Sequence, residues 1–241
     1  MSSGPNYRYA YTPTTVATAR TVSAQPAVGE ITTSPKELRD LSIAFIVLTF
    51  DLTVVLSGGG TGFLLWGSVS LLLEVILVAA AAGLTGFVAH EMAHKISAQR
   101  RGYWAEFRMA PMWLLFSIIT AFLGFLFAAP GATVIGGMGS RDDWGRTALA
   151  GPVTNMVFSV VFYGGAVAAI FLGSGAAFWL IFLAFINGWF ATFNLLPFGP
   201  LDGRKVLTWN AGVWGGAIAV AIVLAALSAV ALYLGIFPFG G

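Results

Sequence analysis

From Leu38 onward the chain consists almost wholly of apolar stretches long enough to cross a lipid bilayer, at about 41–57, 71–97, 112–129, 148–172, 176–197 and 212–235. A helical span needs about 20 predominantly apolar residues. Within lipid, every backbone polar group must find its partner inside the protein, which is why such runs read as helices. The charge content agrees: 9% of the 241 residues are Asp, Glu, Lys or Arg, against roughly 25% in soluble domains. The 58% that are hydrophobic exceed what a core of this size could hide. A water-soluble globular protein is therefore excluded. A net charge of +2 leaves no basic footprint for nucleic acid, and the basic residues read instead as membrane-orientation signals. The chain has no cysteine, which excludes disulfides, thiolate metal sites and cysteine nucleophiles.

Residues 1–37 differ from the rest. They are rich in Ser, Thr, Pro, Ala and Tyr and lack apolar periodicity, so they read as a disordered or loosely attached tail. No apolar run follows Met1, and a secretory signal is not expected. Tyr7, Tyr9 and Tyr11 could meet a partner, although a plain solvated tail is the simpler reading. Residues 38–241 form the membrane domain. Asp51 and Glu74 fall inside spans, where an ionisable residue is a functional candidate by default. Both lie towards the expected outer ends of their spans, close to water, and a direct catalytic role is not assigned to them.

The chain has two histidines, His90 and His94, in Ala89-His90-Glu91-Met92-Ala93-His94. Residues four apart share one helix face, so both imidazoles can reach a single ion. Glu91, turned about 100° from His90, can address water beside that ion without being a ligand. Two imidazoles and a carboxylate buried in hydrocarbon with no ion would be costly, so the string reads as a metal site. A catalytic zinc takes three protein ligands. Without Cys or further His the third must be a carboxylate. The best candidate is Asp202, in Asn194-Leu195-Leu196-Pro197-Phe198-Gly199-Pro200-Leu201-Asp202-Gly203. Pro197 and Pro200 forbid continuous helix there. Broken backbone at membrane depth is tolerated where it lines a wet cavity, although this loop taken alone reads equally well as a Pro-Gly exit turn.

A third string, Ala150-Gly151-Pro152-Val153-Thr154-Asn155, opens the span that follows the Gly-rich stretch. In this order, the three strings resemble the signatures of the site-2 protease family of intramembrane zinc metalloproteases: its zinc helix, its Gly-Pro-x-x-Asn motif and its Asn-x-x-Pro-x-x-x-Leu-Asp-Gly motif. The resemblance covers about 70–206. It implies one Zn2+ per chain held by His90, His94 and Asp202, with Glu91 as general base. It also implies, less directly, that Asn155 and Asn194 donate to the substrate backbone or the developing oxyanion. The implied activity is hydrolysis of a peptide bond within or near the transmembrane segment of a single-span membrane protein. Competing readings are a zinc-binding pseudoprotease that holds clients without cutting, a zincin using Glu106 as third ligand, a non-haem iron site and a transporter. Iron leaves Glu91 without a role, and a transporter would spread polar residues over several helices.

The expected fold is an all-α polytopic membrane protein with five or six transmembrane helices. A re-entrant or short β element is expected between the zinc helix and the next span. Thr133-Val134-Ile135, a β-branched triplet between Gly131 and Gly136-Gly137, predicts a short strand whose edge could take an extended substrate by main-chain pairing. A flexible Gly linker is the plainer alternative. Counting 112–129 as a span would put Asn155 and the histidines on opposite sides of the membrane. A re-entrant 112–139 puts them, and all 12 basic residues, on one side. The positive-inside rule then predicts five spans in the cell membrane and a cytoplasmic N-terminus.

Overall fold

The computed structural model describes residues 30–64, 68–137 and 139–236. Most of the expected tail, with Tyr7, Tyr9 and Tyr11, lies outside the described residues. The chain runs α1 (Pro35–Leu56), α2 (Gly59–Leu64), α3 (Val69–Ala82), a π-helical turn (Gly83–Val88), α4 (Ala89–Gln99), β1 (Trp104–Met109), α5 (Pro111–Phe122) and β2 (Gly131–Gly136). It continues through α6 (Arg141–Phe171), α7 (Ala176–Asn194), α8 (Asp202–Trp209) and α9 (Ala211–Tyr233). The architecture is a polytopic helical membrane protein with one small sheet. Among the described residues, four helices are long and apolar enough to cross a bilayer: Val69–Gln99, which joins α3 to α4 through the π turn, then α6, α7 and α9. Helix α1 is 22 residues long but carries Glu37, Arg39, Asp40 and Asp51, and is the fifth candidate. Asp51 is fully buried and accepts from the Ser117 hydroxyl of α5, so it does not lie open to water as its place in the sequence suggests.

The stretch 112–129 does not form one helix long enough to cross. Helix α5 has 12 residues, or about 18 Å of rise against a hydrocarbon core of about 30 Å. The stronger reason is the register. Strands β1 and β2 are antiparallel with Met109 opposite Gly131, so the chain leaves the sheet and returns to the same place. Hydropathy sees apolar content and cannot see that return. The expected strand at 133–135 is present. Its partner β1 was not anticipated.

The outer edge of β1 is closed by side chains. The Glu37 carboxylate accepts the Phe107 N–H at 3.0 Å and pairs with Lys95 at 2.6 Å. The Gln99 amide donates to Ala105 O and exchanges hydrogen bonds with the backbone of Thr32. Ser34 caps α1 by accepting from the Glu37 N–H and donates to Glu106. The tail boundary drawn at residue 37 thus falls inside a packed element: the helix starts at Pro35, and Glu37 is buried. Opposite residues of an antiparallel pair exchange both backbone hydrogen bonds or neither. Because Phe107 gives its N–H to Glu37, its partner Thr133 is a non-exchanging position. The N–H and C=O of Thr133 and Ile135 therefore face away from β1, and among the described residues no strand pairs with that edge.

The core joins α1, α3, α5, α7 and the sheet through Leu48, Leu52, Val78, Phe87, Phe107, Leu114 and Leu183. A second contact layer sets α7 on α9, where a Cβ at Gly188 would stand 2.9 Å from the backbone of Ala225. Small residues at such crossings let membrane helices approach closely.

The re-entrant path has a direct test on this Cys-free chain. Single cysteines at Ser97 and Ser140 should react with a membrane-impermeant maleimide from the same side. Labelling from opposite sides would make 112–129 a full span.

Candidate metal centre

Each histidine is fixed through its Nδ1. His90 Nδ1 lies 2.5 Å from Asn155 Oδ1, and His94 Nδ1 lies 2.7 Å from the Thr147 carbonyl, both on α6. Both partners are acceptors, so both Nδ1 atoms carry the proton, and in the neutral imidazole each Nε2 then presents its lone pair. These two Nε2 atoms stand 3.0 Å apart, at 2.9 and 3.3 Å from Asp202 Oδ2. Three electron-rich atoms in mutual contact repel unless a cation sits among them. Tetrahedral zinc with bonds of about 2.0–2.1 Å separates neighbouring ligand atoms by ~3.3 Å, close to the spacing found. The trio could hold a metal ion, and it is buried at all three positions. Charge favours the same conclusion at Asp202. Burial opposes its ionisation, while the Lys205 ammonium favours the charged carboxylate that a metal ligand must be. Its second oxygen, Oδ1, pairs with Lys205 Nζ at 3.0 Å.

The backbone explains why α4 and α6 come so close. Gly151 lies against the ligands, and a Cβ there would collide with Nε2 of both imidazoles. Pro152, one residue on, has no N–H to give to the Ala148 carbonyl four residues back. Asn155 Nδ2 donates to Thr85 O and Gly86 O of the π turn before His90. Asn187 of α7 completes the network: Asn155 donates to its Oδ1, and its own Nδ2 donates to Thr85 Oγ1 and Leu183 O.

The candidate residues therefore divide. His90, His94 and Asp202 converge. Glu91 sits beside them with Oε2 accepting from the backbone N–H and the hydroxyl of Thr133, both at 2.8 Å. Asn155 departs from expectation, because it is fully buried and every polar atom of its amide is engaged within the protein. It orients His90 and has no group left for a substrate. Asn194 lines the cavity and spends one amide hydrogen on Phe190 O. Thr133 and Ile135 also line the cavity, while Val134, 46% exposed, points elsewhere. The cavity, about 680 Å³, runs from the trio past Glu91 and β2 to Trp113 and Phe127 of the re-entrant element. Sequence reading did not pick out Asn187 and gave Lys205 and Gly151 no role at the metal. For Asn187 the signal was an amide within an apolar span, where polar side chains serve as links between helices.

No family model matches the chain. A protein of Methanocaldococcus jannaschii named "Putative zinc metalloprotease MJ0611" is 33% identical over 184 residues, covering 75% of this chain and 88% of that protein. "Putative zinc metalloprotease Rip3" of Mycobacterium tuberculosis is 32% identical over 132 residues, 52% of this chain and 28% of its own length. No solved structure matches.

Gly151→Ala should lower zinc affinity by about 10-fold or more, as disturbed ligand support does, read by metal analysis after competition with a chelator. Gly164→Ala, in the same helix with open space around it, should leave zinc content unchanged.

Proposed function

Since the chain belongs to the site-2 protease family of zinc metalloproteases, we propose that it hydrolyses a peptide bond within or near the transmembrane segment of a single-span membrane protein. His90, His94 and Asp202 hold the zinc in this reading, and Glu91 is the general base. The observation that carries it is the meeting of three buried ligand atoms with the Glu91 carboxylate on one cavity among apolar helices. Bound there, zinc supplies Lewis acidity, which makes water a nucleophile at neutral pH and polarises a carbonyl. Glu91 takes the proton from the attacking water and delivers it to the leaving amine nitrogen. Asn194, with an amide hydrogen to spare, is the side-chain donor for the oxygen that gains charge.

A helical substrate cannot be attacked, because its carbonyls are bonded and shielded by their own turn. It has to be extended locally, and an extended segment in hydrocarbon needs a partner for every N–H and C=O. The open edge of β2 supplies them at Thr133 and Ile135, by strand addition. The apolar walls at Trp113 and Phe127 suit a substrate arriving from the bilayer. The clustering of basic residues on the zinc side supports a cytoplasmic N-terminus and a site nearer the cytoplasm.

Glu91→Gln should abolish cleavage of a reconstituted single-span substrate while zinc content stays at one equivalent, and a chelator should abolish wild-type cleavage. Full activity in Glu91→Gln would overturn the mechanism. In that inactive background, a photocrosslinker at Ile135 should capture the substrate and one at Val223, on the lipid-facing side of α9, should not. Equal capture would remove β2 as the docking edge.

A further inference from the structure

Glu91 Oε2 accepts two hydrogen bonds, and both come from one residue. The backbone N–H of Thr133 donates at 2.8 Å and its hydroxyl at 2.8 Å; the hydroxyl also lies 3.1 Å from the Glu91 carbonyl. Thr133 is opposite Phe107 in the register, at a position whose N–H faces the unpaired edge of β2. That N–H is the one an added strand must use at this point of the ladder. A backbone N–H makes one well-aligned bond, so the Glu91 carboxylate and an incoming peptide carbonyl compete for it.

We propose that Thr133 couples substrate docking to the base: its hydroxyl keeps Glu91 in position while its backbone N–H passes from Glu91 to the extended substrate. The inference rests on the reading of Glu91 as the base and of the β2 edge as the dock. Before docking, Oε2 is engaged by both donors of Thr133. Docking withdraws one of them where the substrate backbone arrives and leaves Oε2 with room to take a proton from water. The hydroxyl tether stops the carboxylate from swinging away once the N–H has gone. A segment that remains helical keeps its carbonyls bonded, cannot take the N–H, and does not release Oε2. The exchange thus selects unwound segments. Thr133 is a positioning residue: it acts on the chemistry through Glu91.

The test uses the zinc-loaded full chain in phosphatidylcholine nanodiscs, with a fluorescently labelled single-span peptide carrying an Asn-Gly break in its apolar stretch. Thr133→Val should lower kcat by about 10- to 100-fold, the usual cost of losing a group that orients a functional side chain, with KM and zinc content unchanged. Thr133→Ser, which keeps the hydroxyl, should recover most of that loss. Unchanged kcat in Thr133→Val, with Glu91→Gln inactive, would overturn the tether and leave the base assignment standing. The exchange is read separately from binding to two inactive variants. Glu91→Ala should bind the peptide several-fold more tightly than Glu91→Gln, whose amide oxygen still accepts from Thr133. Equal or weaker binding to Glu91→Ala would overturn the exchange.

Discussion

Two hydrogen bonds from the zinc helix to α6 hold the site together. His90 and His94 each commit Nδ1 to an acceptor on that neighbour, one a side-chain amide and the other a backbone carbonyl. Once both rings are fixed in that tautomer, their Nε2 lone pairs have nowhere to point but towards each other and Asp202. Such an arrangement is unfavourable without a cation and favourable with one. The fixing is itself over-determined. Asn155 is held by carbonyls of the π turn and by Asn187, so three helices share a single polar network. In hydrocarbon an unmet amide would cost several kcal/mol, and here every polar atom of both amides has a partner.

The sheet obeys the same accounting of backbone groups with an asymmetric result. Two strands have two outer edges, and both would be liabilities at membrane depth. Glu37 and Gln99 close the β1 edge, and the Lys95–Glu37 pair that accompanies them is buried at both ends. Removing those charges from water costs several kcal/mol per ion. The 2.6 Å contact, the hydrogen bond that Lys95 donates to the Thr33 hydroxyl and the one that Glu37 accepts from the Phe107 N–H offset that cost. The pair thereby fixes the start of α1 against the zinc helix. On β2 the edge stays open, and among the described residues its Thr133 N–H meets only the carboxylate of Glu91. Closing one edge while leaving the other free gives the cavity a directional main-chain surface beside the ligands.

Much of this was legible along the chain because membrane helices are coded by local composition. The long helices coincide with the apolar runs, and the i,i+4 histidines with intervening Glu identify one face of one helix. The strand at 133–135 was visible as β-branched residues between glycines. Its partner was harder to read: Trp104–Met109 is six residues long, has two charges and follows an Arg-Arg-Gly turn, so no period stands out. Hydropathy alone misjudged 112–129, since an apolar run records affinity for lipid and carries no information about whether the chain returns. Asn155 was read as a donor to substrate, whereas its amide is engaged by His90, the π turn and Asn187. The side chain's target depends on the π turn and on Asn187, which lie 69 and 32 residues away in sequence.

The sequence by itself determined that the protein lives in a bilayer, that His90, Glu91 and His94 share a helix turn, and that the third ligand had to be a carboxylate. Each follows from spacing, composition or elimination, which are properties of a one-dimensional string. Only the tertiary structure decided that Asp202, more than a hundred residues on, brings one oxygen to within about 3 Å of both imidazoles. It alone decided that α5 turns back, that β1 has its outer edge covered, and that the open edge of β2 meets Glu91. Those outcomes depend on which polar groups satisfy one another across helices packed in a medium without water, and that pairing is settled only when the helices pack.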